Sequence, residues 1–148
     1  MKKILKFLGE VGVWRAWGRL HTGIYHATGG RLGGSMAGLP HLLLTTTGRK
    51  SGQERTVALS YMPDGEHFVL VASNGGSDRH PAWWLNLRDC NRASAQVGSV
   101  CHAVVAERAE GEEYQRLWPL LKAFNPFYVQ YEQITDRAIP VVVLRRTD

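Results

Sequence analysis

Two periodicities divide the chain. Between residues 2 and 27 apolar side chains recur at steps of three and four: Ile4, Leu5, Phe7, Leu8, Val11, Trp14, Trp17, Leu20, Ile24 and Tyr25. Lys2, Lys3, Lys6, Arg15 and Arg19 fill much of the remainder. The spacing predicts a basic amphipathic helix. Such a helix either packs on its own domain, or lies on a membrane surface or over a site as a lid. "GGRLGG", Gly29 to Gly34, ends it and forms a flexible joint.

From Leu42 onward the pattern is that of strands. "HLLLTTT", "TVALSYMP" and "EHFVLVAS" follow one another, with Asp64-Gly65 as a turn signal before the third. "NGGSDRHP" breaks the run, and "AWWLNLRDC" predicts a short helix that tolerates Pro81 in its first turn. "ASAQVG" and "CHAVVAERA" read as a hairpin. "GEEYQRLWPLLKAFNPFYVQYEQI" is helical, interrupted at Pro119 and Pro126, and "AIPVVVLRR" closes as a buried strand. Five or six short strands with three helices are expected. Strands grouped as hairpins rather than alternating with helices predict an α+β fold, with an antiparallel sheet or small barrel. The 148 residues suit one domain, divided into a helix and joint over 1–34 and a globular body over 35–148.

Charge narrows the partners. The formal net charge is +5, so an anionic partner is expected: nucleic acid, a phosphorylated small molecule or an anionic membrane. Cys90 and Cys101 are the only cysteines, too few and too isolated for a zinc site or a secreted disulfide scaffold. No apolar run approaches the roughly 18 residues of a membrane span. The basic start is broken by Lys6, Glu10, Arg15 and Arg19 and lacks a small-residue cleavage site, so a cytoplasmic protein is expected, with membrane association through the helix as an option.

The cations concentrate in "TTTGRKSGQERT", Thr45 to Thr56. A tight turn at Gly48 and Gly52 directs backbone N–H groups toward an anion. Arg49, Lys50 and Arg55 add charge, and Thr47 and Ser51 add hydroxyls. Spacing excludes a Walker loop. A solvated basic hairpin is the plainer reading. Aromatic residues are not interleaved with this loop, and Glu107, Glu110, Glu112 and Glu113 interrupt the positive surface, so no nucleic acid is expected. In "ASNGGSDRHPAWWLNL", Gly75 and Gly76 permit close approach of a flat ligand, and Ser73 and Asn74 offer polar contacts. His80 reads as a capping or structural histidine, and Trp83 and Trp84 as core, with one of the two turned to a cavity or partner element. Tyr128 and Tyr131, three apart on a helix, are either packing residues or phenols lining a pocket. The histidines are scattered, and no G-x-S-x-G elbow is present.

Taken together, "LLLTTTGRKSGQ.R", "ASNGG…HPAWWLNL" and "TDR.IPVVVL" resemble the deazaflavin-dependent nitroreductase family, the flavin/deazaflavin oxidoreductases of type A, over roughly residues 20 to 146. The resemblance implies a split β-barrel of the FMN-binding kind as the cofactor-binding domain over 35–148, and coenzyme F420, a deazaflavin with a phosphate and an oligoglutamate tail. It places the phosphate and tail at Arg49, Lys50, Ser51 and Arg55, and the ring at Ala72, Ser73 and Asn74 beside Pro81, Ala82 and Trp83. It sets Tyr128 and Tyr131 over the substrate face as catalytic candidates. The implied reaction is hydride transfer from reduced F420 to a quinone, an activated double bond or a nitro compound. Three positions depart from the family pattern: Asn125 replaces a tyrosine, Asn74 a lysine and Glu54 a proline. The alternatives are FMN or FAD as cofactor, or a non-enzymatic binder of flavin, haem or fatty acid. The expected partners are a small hydrophobic substrate and, through the N-terminal helix, a membrane surface; the chain is expected to be a monomer or homodimer.

Overall fold

The computed structural model describes residues 18–30, 34–36 and 38–148. Trp14, Trp17 and the lysines of the first turns lie outside the described residues. Within them a helix, α1, covers 18–28. It is followed by β1 (Ser35–Met36), β2 (Leu39–Thr47), β3 (Glu54–Ser60), β4 (Met62–Asp64), β5 (His67–Val71), α2 (Ala82–Asp89), β6 (Arg92–Val97), β7 (Val100–Arg108), α3 (Gly111–Phe124), α4 (Phe127–Ile134) and β8 (Val141–Arg146).

Every strand pairing is antiparallel, and the lateral order is β3-β2-β6-β7-β8-β5-β4, with β1 beside the first residues of β2. Chain neighbours form hairpins, while α2 and the α3–α4 pair lie in the two long connections between them. The curled sheet therefore has β3 and β4 at its free edges, which is a barrel left open along one seam. The expected α+β split barrel is the architecture observed.

Alternation sorts each strand between two cores. Phe68, Leu70, Val142 and Leu144 point inward with Leu42, Leu44, Ala95, Val104 and Ala106. Val69, Val71, Val141 and Val143 point outward and are covered by Leu117, Trp118, Leu121 and Tyr128 of α3 and α4. A strand covered on both faces has no polar face to show, which is why "VVVL" reads as an unbroken apolar run. Two ion-paired arginines fix the outer layer. Arg145 of β8 donates to Glu107 (2.9 Å) and Glu113 (2.8 Å), and Arg116 of α3 donates to both oxygens of Asp64 (3.1 and 2.8 Å).

Three local expectations are corrected. "TVALSYMP" is two strands rather than one: after Ser60 the chain leaves β2, and from Met62 it pairs with β5. Tyr61 is the corner, its N–H donating to the Pro40 carbonyl (3.1 Å). Pro119 does not interrupt α3, which runs through it to Phe124; only Pro126 separates two helices. Among the described residues eight strands stand in place of five or six.

Candidate active site

The seam is where the fold leaves space. β4 has three residues and reaches only Val69 on β5. Beyond it Leu70 and Val71 face β3 across a gap, and this gap is a cleft of about 870 Å³. One wall is β3, through Arg55, Thr56, Val57, Leu59 and Ser60. The 48–51 loop closes one end, the 73–75 turn and Pro81–Trp83 close another, and Tyr128 and Tyr131 of α4 stand over the gap.

The basic turn is built by its glycines and held from below. Gly48 N–H donates to the Gln53 carbonyl (2.7 Å), and Gly52 N–H to the Gly48 carbonyl (2.8 Å). Gly52 has φ +71°, and a Cβ on Gly48 would lie 3.0 Å from both Gln53 O and Ser51 Oγ. Beneath the turn, buried Asn86 accepts from the Arg49 backbone N–H (3.2 Å) and guanidinium (3.0 Å) on one oxygen, and donates to Thr46 Oγ1 (3.1 Å). One amide thus docks α2 to the turn and satisfies all three groups. Lys50 and Arg55 line the cleft, and neither takes part in an ion pair among the described residues.

The second turn is left-handed throughout: Asn74, Gly75 and Gly76 have φ of +48°, +65° and +80°. Asparagine is among the residues that tolerate this region, and its amide closes the loop on the Arg79 carbonyl (3.1 Å). A Cβ on Gly76 would sit 3.1 Å from Ile134 and 3.3 Å from Tyr131, so glycine there lets the turn seat against α4.

Tyr128 is 7% exposed, and its hydroxyl lies 3.4 Å from Ser60 Oγ. Burial raises its phenol above the ordinary value, against smaller opposing effects of hydrogen bonds to Ser60 and Asn125. It therefore keeps its proton across the neutral range and can donate it. Tyr131 is half-buried, with its ring 6.3 Å from that of Tyr128.

Of the ten cofactor-binding residues expected from sequence nine line this cleft, Arg49, Lys50, Ser51, Arg55, Ser73, Asn74, Pro81, Ala82 and Trp83, and so do both catalytic candidates, Tyr128 and Tyr131. Ala72 does not. It is fully buried beneath the turn, and its carbonyl accepts from Arg137 (3.1 Å). Trp83 lines the cleft and Trp84 does not, although both belong to the inner core.

Residues 17–146 match the family model described as F420H(2)-dependent quinone reductase. The chain belongs to the F420H(2)-dependent quinone reductase family. An F420H(2)-dependent quinone reductase of Mycobacterium tuberculosis is 42% identical over 132 residues, which span 86% of this chain and 89% of that protein. A solved F420-H2 dependent reductase, FDR-A, is 37% identical with a TM-score of 0.66, over 72% of this chain and 94% of that one. A second solved chain, described as a domain-swapped dimer, is 37% identical with a TM-score of 0.67, over 72% of this chain and 80% of that one. The resemblance read in the sequence, to F420-dependent oxidoreductases with a split barrel, is borne out by this membership.

Sequence reasoning missed two residues that organise the quinone reductase cleft. Asn86 was visible as the single polar residue inside "AWWLNL". Arg137 was visible within "TDR", yet nothing in the sequence says what it reaches. Its guanidinium donates to the carbonyls of Ser77 (2.7 Å), Ser73 (2.7 Å) and Ala72 (3.1 Å), and to His80 Nδ1 (3.2 Å). Thr135 of the same linker donates to Asp78 (3.1 Å). The segment before β8 thereby clamps the whole 72–80 turn.

Proposed function

We propose that this chain binds reduced F420 in the seam of its barrel and reduces a quinone there. The observation that carries the reading is the pair of cleft cations, Lys50 and Arg55, without an acidic partner among the described residues, in a gap that Val57, Leu59, Leu70 and Trp83 also line. Two such cations beside apolar side chains suit a ligand with an acidic handle and a planar ring. The volume is within the range of cofactor sites.

Arg49, Lys50, Ser51 and Arg55 would hold the phosphate and tail, and the 73–75 turn with Pro81–Trp83 would hold the ring. Bound F420 supplies the hydride, from the ring carbon that replaces a flavin nitrogen. The chain's own contribution is to position, to exclude water and to deliver protons. Tyr128 and Tyr131 cover the open face, where an apolar substrate would stack. The raised phenol of Tyr128 makes it a hydrogen-bond donor to a quinone oxygen, and Ser60 is placed to orient that hydroxyl. Asn125 stands in the cleft where the resemblance expects a tyrosine, so the substrate face has a smaller aromatic wall and a polar amide. That change removes an aromatic contact from the face where the resemblance places a nitroimidazole, and so favours a quinone as the acceptor. Assembly as a homodimer belongs to the same proposal, supported by the 37% identical chain described as a domain-swapped dimer.

The N-terminal helix as a lid finds no contact within the described part: none of residues 18–30 lines the cleft. No helix among the described residues is long and apolar enough to cross a membrane.

The test is anaerobic oxidation of reduced F420 by the purified chain, with a quinone, a small enone and a nitroimidazole as acceptors. Rapid oxidation by the quinone and slow oxidation by the nitroimidazole is the expected order. Absence of oxidation with every acceptor overturns the reading.

A further inference from the structure

His80 was read from sequence as structural, and its surroundings say more. It lines the cleft between the 73–75 turn and Pro81. Its Nδ1 lies 3.2 Å from Arg137 Nη1. A guanidinium has no lone pair and can only donate, so Nδ1 must be the acceptor. The imidazole is then neutral and its one proton is on Nε2. The two ring nitrogens point in diverging directions, so an Nδ1 turned to Arg137 leaves Nε2–H turned away from it. Arg137 is itself immobilised by three backbone carbonyls, those of Ala72, Ser73 and Ser77, which fixes the ring it holds.

We infer that His80 is a ligand-binding residue, presenting a fixed Nε2–H to an oxygen of the bound ring system, and that Arg137 is the positioning residue that sets its tautomer. The inference rests on the F420 reading of the cleft and names a contact within it. The assignment to the ring rather than the tail follows from position. His80 neighbours Asn74, Gly75 and Pro81 along the cleft, whereas the cations of the tail site belong to the loop after β2 and the start of β3.

The electrostatic setting agrees. The charged groups facing His80 are Arg137 from the linker before β8, Arg88 of α2 and Arg108 of β7, all cationic. Burial first, and these three cations next, depress its pKa below the ordinary histidine value. Asp78, on the same turn, is engaged by Thr135 and acts on Arg137. The neutral form therefore persists to lower pH than in a free histidine.

The experiment uses the full chain with 15N-labelled histidine and two ligands: F420, and a deazaflavin lacking phosphate and tail. Long-range proton–nitrogen spectra are expected to show His80 with a bare Nδ1 and a protonated Nε2, and the Nε2 resonance is expected to move with either ligand. His80→Ala and His80→Asn should weaken both ligands about three- to tenfold, the effect of losing one hydrogen bond. His80→Gln, whose amide N–H can take the place of Nε2–H, should retain most of the affinity and shows that the site tolerates substitution. Arg137→Gln should release the tautomer, seen as exchange between the two nitrogens. A proton on Nδ1, an Nε2 resonance that ignores both ligands, or a His80→Ala loss confined to F420 overturns the inference. Lys50→Ala separates it from the underlying reading: it should weaken F420 alone, and equal weakening of both ligands defeats the tail site while leaving the His80 result to stand by itself.

Discussion

The two ends of the barrel use hydrogen bonds in opposite ways. At the end where α1 packs, Tyr25 is 1% exposed, and its hydroxyl accepts from Gly98 N–H (2.8 Å) and donates to the Gln96 carbonyl (3.2 Å) in the β6–β7 turn. Gly30 is pressed there so closely that a Cβ would lie 2.8 Å from the Gly98 Cα. Every group in that contact is occupied by another part of the chain. At the cleft end, hydrogen bonds also hold the turns, but what they hold out is left for something else: Lys50, Arg55, His80 and Tyr128 all border the cavity. One end is organised for stability, and the other is where we place the ligand. Substitutions at the first should therefore change folding without changing cofactor affinity, and substitutions at the second the reverse.

The largest expected effect is at the closed end. Tyr25→Ala removes a buried aromatic ring and its two hydrogen bonds, and should destabilise the fold by about 3 to 5 kcal/mol in denaturant titration. F420 affinity of the folded fraction should be unchanged. At the open end, Lys50→Ala and Arg55→Ala should each weaken F420 by about 1.5 to 3 kcal/mol, the range for a charge-assisted hydrogen bond, with stability unaltered. Fluorescence titration measures the first and a thermal melt the second. Asn86→Ala blurs the contrast on purpose. It strands the Thr46 hydroxyl and the Arg49 N–H, so about 1 to 3 kcal/mol of stability and some affinity should be lost together.

The smallest effect is a pH dependence at the α1 end. His41 of β2 meets His21 of α1 edge to face, with ring centroids 5.4 Å apart. Burial lowers the His41 pKa, the Leu39 carbonyl opposes this, and His21 adds to it. A histidine whose folded pKa lies below its unfolded value of about 6.5 takes up its proton first in the unfolded chain. Stability should thus decline as pH falls through about 6.5 toward the folded value, and His41→Gln should flatten the decline between pH about 7.5 and about 5.5. A decline of equal size in both proteins contradicts the assignment.

Much of this fold is legible in the sequence. The hairpins, the helix at "AWWLNL" and the closing apolar strand follow from local periodicity. The basic turn stood out through glycines and cations that a plain loop does not need, and it borders the cleft. What was hidden depends on contacts between distant residues. "TVALSYMP" shows no break at Tyr61, because the corner exists only where the strand exchanges β2 for β5. Ala72 was expected at the ligand, yet the Arg137 clamp takes its carbonyl from a segment 65 residues away. Glu107 and Glu113 read only as an acidic interruption of the positive surface, and both are engaged by Arg145. Asn86 offered a polar residue on an apolar helix, but not the turn it supports.

The central claim is that the turn after β2 grips the acidic handle of a planar redox cofactor. A crystal structure of the chain with F420 tests it most directly. The account predicts phosphate oxygens within hydrogen-bonding distance of Arg49, Lys50 or Arg55, with the ring lying between β3 and the 73–75 turn. A phosphate bound elsewhere, with that turn bare, contradicts it.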